Sequence, residues 1–182
     1  MGTDKAGLTH RNGLPFWQHQ LHTLEQTDPD YIMVSAPQEP EWISEEMIWV
    51  KDVEEGMGPV RGILSALTAC STSHLICLGI DVVEMQPQEL SYFRTCCTQG
   101  VGLIPQTGKG WEPLCAVYPR EAIAIFKDSI RRQEYSLQTI LEHLQQNGMI
   151  RPYPVPDHEI GLYQNINTDE EYAAWMASGQ AG

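Results

Sequence analysis

The sequence has little positive charge. It contains 11 lysine and arginine residues against 24 aspartate and glutamate residues, which gives a formal net charge of −13. A nucleic-acid binder needs a basic surface that neutralises the phosphate backbone, so this composition argues against that class of protein. It remains compatible with a nucleotide ligand, because one lysine, a few backbone N–H groups and Mg²⁺ can hold the phosphates.

Long apolar runs are also absent. No run reaches the roughly 18 residues of a transmembrane helix, and no apolar segment follows basic residues at the amino terminus. The five cysteines are an odd number without C-x-x-C spacing, which argues against a disulfide scaffold. We therefore expect free thiols, no membrane contact and a cytoplasmic location.

Several catalytic and repeat signatures are missing as well. The sequence has no internal repeat of about 20–50 residues, which argues against solenoids. It has no G-x-S-x-G segment, so a serine hydrolase of that type is poorly supported. The six histidines are scattered, and no acid or cysteine completes a zinc site with them.

The chain does show short apolar runs alternating with helical patterns. Its 182 residues match the size of one domain, and we expect a single domain over residues 1–182. Apolar runs predict strands, and spacings of three and four residues predict helices. The predicted strands are residues 31–35, 48–50, 75–80, 101–105 and 114–118; the predicted helices are residues 15–26, 60–68, 87–93, 119–127 and 137–144, with a further one capped by Asn167 or Thr168. This order predicts a three-layer α/β domain.

Four short stretches carry residue types suited to nucleotide chemistry. Lys5 follows a glycine near the amino terminus, Gly58 and Gly62 flank a helix start, Asp81 follows a buried apolar run, and Asn165 and Asn167 lie near the carboxyl end. Glycines next to the N-terminus of a helix favour the binding of an anion. A carboxylate at the end of a strand lies where ligands bind in α/β sheets and is a good ligand for a hard metal ion. Each stretch also has a purely structural interpretation as a solvated charge, a tight packing site, a cap or a turn.

Taken in order, these stretches resemble one family. The segments MGTDKAGL, NGLPFWQHQL, GMGPVRGILSAL, EPLCAVY and NINTDEEY, with the strand before Asp81, resemble the molybdenum cofactor guanylyltransferases, or MobA-type nucleotidyltransferases, from Met1 to about Tyr172. The resemblance implies a three-layer α/β/α sandwich with a Rossmann-like, mostly parallel sheet of the nucleotide-diphospho-sugar transferase type. It also implies transfer of GMP from GTP to molybdopterin or Mo-molybdopterin, with Mg²⁺ as cofactor and pyrophosphate as product. Molybdoenzymes and other molybdenum cofactor proteins are further implied partners.

The resemblance assigns roles to individual residues. Lys5 and Asp81 would be catalytic, with Lys5 on the nucleotide phosphates and Asp81 holding Mg²⁺. The implied nucleotide-binding set is Gly2, Lys5, Ser35, Asp52, Gly58, Pro59, Gly62 and Asp81. The implied pterin side consists of Lys109, Glu112, Asn165 and Asn167.

The sequence departs from the family pattern in two places. Members open with a strand and a loop of the form L-A-G-G-x-S-x-R-M-G-x-D-K, and this sequence begins at the MG of that motif. With that strand absent, we expect its two neighbours to expose unpaired backbone groups. Either the sequence starts at an internal Met of a longer gene or it is a variant that has lost nucleotide transfer. In addition, the family shows P-C-D-x-P where this chain has residues 79–83 as GIDVV.

Two other functions stay open from the sequence. The chain could be a non-catalytic module that binds a pterin or a molybdoenzyme through Asn165, Asn167 and residues 106–113. It could also be a sister transferase that uses CTP or acts on a sugar phosphate, because base choice depends on Ser35 and on the missing loop.

Overall fold

A computed structural model describes residues 5–52 and 58–179. A single turn of 3₁₀ helix at Lys5–Gly7 opens this part of the chain. The strands are β1 Ile32–Ala36, β2 Met47–Lys51, β3 His74–Leu78, β4 Gly102–Thr107, β5 Gly110–Trp111, β6 Cys115–Pro119 and β7 Ile150–Pro154. The α-helices are α1 Phe16–Glu25, α2 Pro59–Ala69, α3 Pro87–Cys96, α4 Ile123–Arg131, α5 Leu137–Gln146 and α6 Asp169–Ser178. All predicted strands and helices are confirmed to within a few residues.

The described strands form two sheets. In the smaller sheet, β1 pairs with β2 in parallel. In the larger sheet, the order is β3-β6-β4-β5, and β7 also pairs with β4. Since β6 is antiparallel to both β3 and β4, while β7 is parallel to β4, strands β3, β4 and β7 run in one direction.

Helices cover both faces of the larger sheet. Alternate residues of a strand point to opposite faces, and on β6 Tyr118 belongs to the core cluster of α2, α4 and α5. Its neighbour Val117 belongs to the cluster of α3 on the other face. A third cluster joins α1 to α6 through Phe16, Val83 and Trp175. The predicted three-layer α/β/α fold is therefore confirmed.

An edge strand of each sheet, β1 in the smaller and β3 in the larger, borders a gap between the sheets. Within residues 5–52 and 58–179, β1 pairs only with β2 and β3 pairs only with β6. The Tyr31 hydroxyl, just before β1, lies 2.6 Å from the backbone nitrogen of Ser71, just before β3, so the two strands begin at the same end of the molecule. Between them lies a cavity of about 860 Å³. Strands β1 and β3 are therefore the two strands that are expected to expose unpaired backbone groups.

Helix starts follow the sequence signals. Pro59 is in the first turn of α2, where its missing N–H costs no hydrogen bond. Thr168 caps α6: its side chain accepts from the Glu171 nitrogen, and the Glu171 side chain accepts from the Thr168 nitrogen. This reciprocal arrangement is a capping box, and of the two predicted caps it selects Thr168.

Strand β3 is shorter than its apolar run predicts. It ends at Leu78, so Asp81 lies three residues beyond it in a turn. The Gly79 nitrogen still donates to the Leu114 carbonyl at 2.6 Å. The Gln20 side-chain amide then donates to the carbonyls of Gly79 and Val82, both at 2.9 Å, and fixes the turn.

Gly102 permits the close approach of β4 to β6. A Cβ atom at this position would lie 2.1 Å from the Val117 carbonyl oxygen, which is backbone and cannot rotate away. We expect Gly102→Ala to destabilise the protein by roughly 1–3 kcal/mol or more, as overpacked cores do. Urea unfolding measures this loss. Gly108→Ala is the matched control, because a Cβ there meets nothing within 4 Å, and an equal loss in both variants would contradict the explanation.

Candidate active site

Three of the predicted site residues meet at one point. The Lys5 ammonium donates to the Asp81 carboxylate (Nζ to Oδ2, 2.9 Å) and to the Asn167 side-chain carbonyl (Nζ to Oδ1, 2.8 Å). The Lys5 and Asp81 side chains are 23% and 14% exposed, so they lie at the surface and remain accessible to a ligand. The structure thus joins a lysine, a carboxylate and an amide oxygen from three distant segments.

The backbone holds Asp81 and Asn167 together. The Ile166 nitrogen donates to the Asp81 carbonyl at 3.1 Å, and the Ile166 side chain is completely buried. The capping box at Thr168 begins α6 directly after Asn167. Asn167 is therefore fixed between a buried anchor and a capped helix start.

Arg11 ties α6 to the first part of the chain. Its guanidinium donates to the Glu84 carboxylate at 2.7 Å and to the Ser178 hydroxyl at 2.7 Å. It also lies over the Trp175 ring, 4.2 Å from the ring centre, in a cation–π contact. Sequence reasoning gave this arginine no role, because only the tertiary structure brings residue 11 next to residues 175 and 178.

A second group of predicted residues surrounds the start of α2. The Ser35 hydroxyl donates to the Asp52 carboxylate and lies 3.3 Å from the Gly62 carbonyl oxygen. The Asp52 carboxylate also pairs with Arg61 (Oδ2 to Nε, 3.3 Å). A Cβ at Gly62 would lie 3.2 Å from the Ser35 hydroxyl, so glycine keeps this contact free of crowding. Arg61 was not predicted as a site residue, although the sequence predicts that it lies in the first turn of α2.

The second group lines the cavity between β1 and β3 through Ser35, Asp52 and Gly62. The first group borders the same cavity through Ala6 and Ile80, the chain neighbours of Lys5 and Asp81. Gly58 precedes α2 with φ +55°, a left-handed conformation that favours glycine. The unpaired backbone N–H groups in the first turn of a helix favour negative charge, so the start of α2 suits a phosphate group.

The residues implied for the pterin side separate into two places. Glu112 and Asn165 line a small pocket of about 50 Å³ that also contacts Tyr163. Within the described chain, the Asn165 side-chain oxygen and the Tyr163 hydroxyl are buried without a hydrogen-bond partner. Asn167 instead joins Lys5 and Asp81. Lys109 is exposed in the turn before β5, where its backbone nitrogen donates to the Thr107 hydroxyl at 3.2 Å.

Glu112 titrates abnormally because of its surroundings. Burial raises the pKa of its carboxyl above 4.5, while the Thr107 hydrogen bond (2.8 Å) and the charge of Lys109 act in the opposite direction. The folded state therefore holds this proton more tightly than the unfolded state, and stability falls as the pH rises through the raised pKa.

We expect Glu112→Gln to remove this contribution. Relative to the parent, the variant should gain stability when the pH is raised from about 4 to 7, and urea unfolding at the two pH values measures the difference. Exposed Glu142→Gln is the control. Parallel stability curves for the parent and Glu112→Gln would contradict the assignment.

The oxygen atoms around Lys5 also suit a divalent cation. Asp81 and Asn167 direct a carboxylate oxygen and an amide oxygen at the same positive charge, and Mg²⁺ is held by one or two carboxylates together with substrate phosphates. The residues present therefore fit Mg²⁺. Across residues 5–52 and 58–179, no cluster of three His, Cys, Asp or Glu side chains could hold a metal ion, so substrate and water would complete its coordination.

Gly2 lies outside the described residues, so its predicted place at the nucleotide phosphates is not addressed by this geometry. The structure describes all the other predicted site residues. It adds Gln20, which holds the turn before Asp81, and Arg61, which pairs with Asp52.

The part of the chain that the structure describes contains no helix of the length and hydropathy needed to cross a membrane.

Comparison with known proteins identifies the family of the chain. Residues 1–148 match the family model for the MobA-like NTP transferase domain. A protein of Opitutus terrae named "Probable molybdenum cofactor guanylyltransferase" is 29% identical over 174 residues, which cover 94% of this chain and 86% of that protein.

Solved structures show the same fold. The molybdopterin-guanine dinucleotide biosynthesis protein A of Archaeoglobus fulgidus superposes with a TM-score of 0.74 at 22% identity, covering 100% of this chain and 93% of that one. A Mycobacterium tuberculosis protein solved in complex with manganese has a TM-score of 0.63 at 11% identity, covering 97% of this chain and 93% of that one. The family match over residues 1–148 and the relatives' names support molybdenum cofactor biosynthesis as the setting. The chain belongs to the MobA-like NTP transferase domain family and is a nucleotidyltransferase.

Proposed function

We propose that this nucleotidyltransferase transfers GMP from GTP to molybdopterin or Mo-molybdopterin. The observation that carries the proposal is the meeting of Lys5, Asp81 and Asn167, beside a cavity that is also lined by the first residues of α2. A cation, hard oxygen ligands and a helix start are what the transfer of a charged phosphoryl group needs, because this reaction depends on positioning and on neutralising charge. The names of the relatives supply the substrate class.

In this reaction, an oxygen of the molybdopterin phosphate attacks the α-phosphorus of GTP. The bond between that phosphorus and the oxygen bridging to the β-phosphate breaks, and pyrophosphate leaves with the electron pair. The attacking phosphate is already largely ionised at neutral pH, since its second pKa is about 6. No side chain therefore has to act as a general base.

The residues around the site have separate roles in this proposal. Lys5 turns from Asp81 towards the nucleotide phosphates and neutralises their charge. Asp81 and Asn167 would hold Mg²⁺ through their side-chain oxygens, and the bound ion would supply charge stabilisation on the phosphate oxygens. The Asp81 carboxylate is free for that role once the Lys5 ammonium has a phosphate partner.

Nucleotide and pterin would bind on different sides of this centre. Ser35, Asp52, Gly58, Pro59 and Gly62, with Gly2 at the phosphates, form the proposed nucleotide side. Lys109, Glu112, Asn165 and Asn167 form the proposed pterin side, where the buried oxygens of Asn165 and Tyr163 offer unpaired polar atoms. We place the reaction in the cytoplasm, which suits the five free cysteines, and molybdoenzymes would receive the product.

The product identifies the reaction directly. Purified protein is incubated with molybdopterin, Mg²⁺ and either GTP or CTP, and the dinucleotide is identified by mass spectrometry alongside the pyrophosphate released. We expect the guanine dinucleotide with GTP and little product with CTP. A cytosine product would identify the sister transferase, and molybdopterin binding without any product would identify a binding module; both would overturn the proposal.

A further inference from the structure

Three segments of the chain meet at Lys5, Asp81 and Asn167. Lys5 belongs to the amino-terminal segment that leads into α1, Asp81 lies in the turn after β3, and Asn167 comes two residues before α6. The Lys5 ammonium joins their side chains, at 2.9 Å from the Asp81 carboxylate and 2.8 Å from the Asn167 amide oxygen. In the proposed function Lys5 turns to the nucleotide phosphates, so both hydrogen bonds are lost when the nucleotide binds.

The same three segments meet a second time around Arg11. The Arg11 guanidinium donates to the Glu84 carboxylate at 2.7 Å and lies 4.2 Å from the centre of the Trp175 ring. The Trp175 indole nitrogen donates to the same carboxylate at 2.5 Å. Glu84 lies three residues beyond Asp81, and Trp175 belongs to α6. Arg11, Glu84 and Trp175, which we call the Arg11 cluster, therefore connect the segments that Lys5 connects.

Arg11 also caps the carboxyl end of α6. The last four carbonyl groups of a helix have no partner within the helix. The Arg11 Nε donates to the Trp175 carbonyl at 3.1 Å, and a terminal nitrogen of Arg11 donates to the Ser178 hydroxyl at 2.7 Å. A cation at this end also interacts favourably with the helix dipole. Because the cap comes from a residue 164 positions earlier, it fixes α6 to the amino-terminal segment.

Asn167 moves together with α6. Its backbone nitrogen donates to the Glu171 carboxylate at 2.6 Å, and the capping box joins Thr168 to the same glutamate. Trp175 is the one buried residue among the ten of α6, so the attachment of this helix depends strongly on the contacts around that side chain. A shift of α6 relative to the turn after β3 would therefore shift Asn167 relative to Asp81.

We propose that Arg11 is a positioning residue for the Mg²⁺ site. It holds α6 against the turn after β3, so that Asn167 stays beside Asp81 when Lys5 has moved to the nucleotide. The inference rests on the proposed function, in which Lys5 changes partners. The side chains of Arg11 and Glu84 are 28% and 31% exposed, and partly exposed ion pairs contribute little to stability. Loss of Arg11 should therefore leave the fold intact and affect the site.

Hydrogen exchange separates positioning from simple capping. Arg11→Gln removes the guanidinium, and the amides of α6 are compared with those of α5, which packs in a different core cluster. With saturating GTP and Mg²⁺, we expect the α6 amides to exchange at least about tenfold faster than in the parent, because local opening governs exchange. Without nucleotide the acceleration should be much smaller, since Lys5 still holds Asn167, and α5 should not change. Equal acceleration in the two states would show that Arg11 merely caps the helix and would overturn the proposal.

Gly179→Ala displaces Arg11 without removing its charge. A Cβ at Gly179 would lie 2.6 Å from both Cδ and Nε of Arg11, and the φ of −78° at this position is open to alanine. The variant should show the exchange pattern of Arg11→Gln, and parent-like exchange in its α6 would overturn the proposal.

Two controls accompany these variants. A Cβ at Gly161 meets nothing within 4 Å, so Gly161→Ala controls for the added methyl group. The Arg131 side chain on α4 is 75% exposed, so Arg131→Gln controls for the lost charge. Both should match the parent, and an acceleration in α6 equal to that of Arg11→Gln would overturn the proposal.

A double-mutant cycle tests whether Arg11 acts through Asn167. In the transfer assay, Arg11→Gln should raise the Mg²⁺ concentration for half-maximal rate about tenfold and leave the KM for GTP nearly unchanged, because Lys5 still holds the phosphates. In an Asn167→Ala background the same substitution should have almost no further effect, since residues that act as a unit are not additive. Equal effects in both backgrounds would overturn the proposal.

The parent protein in the same assay reports on the proposed function separately. A parent that forms no dinucleotide would overturn the proposed function and this inference with it. An active parent that Arg11→Gln matches in rate, Mg²⁺ dependence and α6 exchange would overturn the inference alone.

Discussion

Asp81→Asn should lower the rate of nucleotidyl transfer by about 10²–10³-fold. The substitution keeps the size of the side chain but removes the charge that faces Lys5 at 2.9 Å and that would hold Mg²⁺. A metal at such a site contributes several kcal/mol to the stabilisation of the transition state, and each 1.36 kcal/mol is a factor of about ten in rate. Pyrophosphate release measured across a Mg²⁺ titration gives both the rate and the metal dependence.

The control for this variant is Asp157→Asn, which removes an exposed carboxylate that is not among the proposed site residues. It should leave the rate and the Mg²⁺ dependence unchanged. Near-ultraviolet circular dichroism of both variants checks that the fold is intact. An Asp81→Asn protein with the parent's rate and Mg²⁺ dependence would show that Asp81 does not hold the metal.

Lys5→Gln should reduce the rate by a similar factor, about 10²–10³-fold, which is the usual cost of removing one preorganised group that stabilises developing charge. Glutamine can still donate a hydrogen bond to Asp81 or Asn167, so the loss isolates the positive charge. The ion pair is partly exposed, and such pairs contribute little to stability. We therefore expect a large fall in kcat with almost no change in the urea unfolding midpoint.

Lys127→Gln is the matched control for charge removal, because Lys127 is exposed on α4. Its kcat should equal that of the parent. If Lys5→Gln retained the parent's kcat, the ammonium would not act on the phosphates, and the cluster with Asp81 and Asn167 would be structural only.

Much of the fold follows from local patterns in the sequence. Helix α2 begins where Pro59 follows Gly58, and α6 begins at the Thr168 cap with Glu171 three residues later. Strands β4 and β6 match the apolar runs that predict them to within two residues. These elements are local, so propensity, capping and turn residues determine them.

Strand β7 was missed for a physical reason. It contains Pro152 and Pro154, and proline lacks the N–H group that a central strand needs. The strand is tolerated because, among the described strands, β7 pairs only with β4. With two prolines in five residues, the sequence pattern does not predict this strand, which lies at the edge of the sheet.

The site itself depends on contacts that no local pattern encodes. Lys5 lies 76 residues from Asp81 and 162 residues from Asn167 in sequence, and the family resemblance assigned Lys5 and Asp81 to the nucleotide but Asn167 to the pterin side. The sequence placed Asp81 at the end of a strand, whereas Gln20 holds it in a turn three residues later. The sequence gives no sign of that support, because the burial of Gln20 is set by tertiary packing.

The proposed reaction requires GTP and Mg²⁺ to bind together, which calorimetric titration of the protein with GTP, with and without Mg²⁺, measures. We expect saturable binding of GTP that is much tighter in the presence of Mg²⁺, because Lys5 and Asp81 are proposed to hold the phosphates and the metal. Absence of GTP binding under both conditions would contradict it.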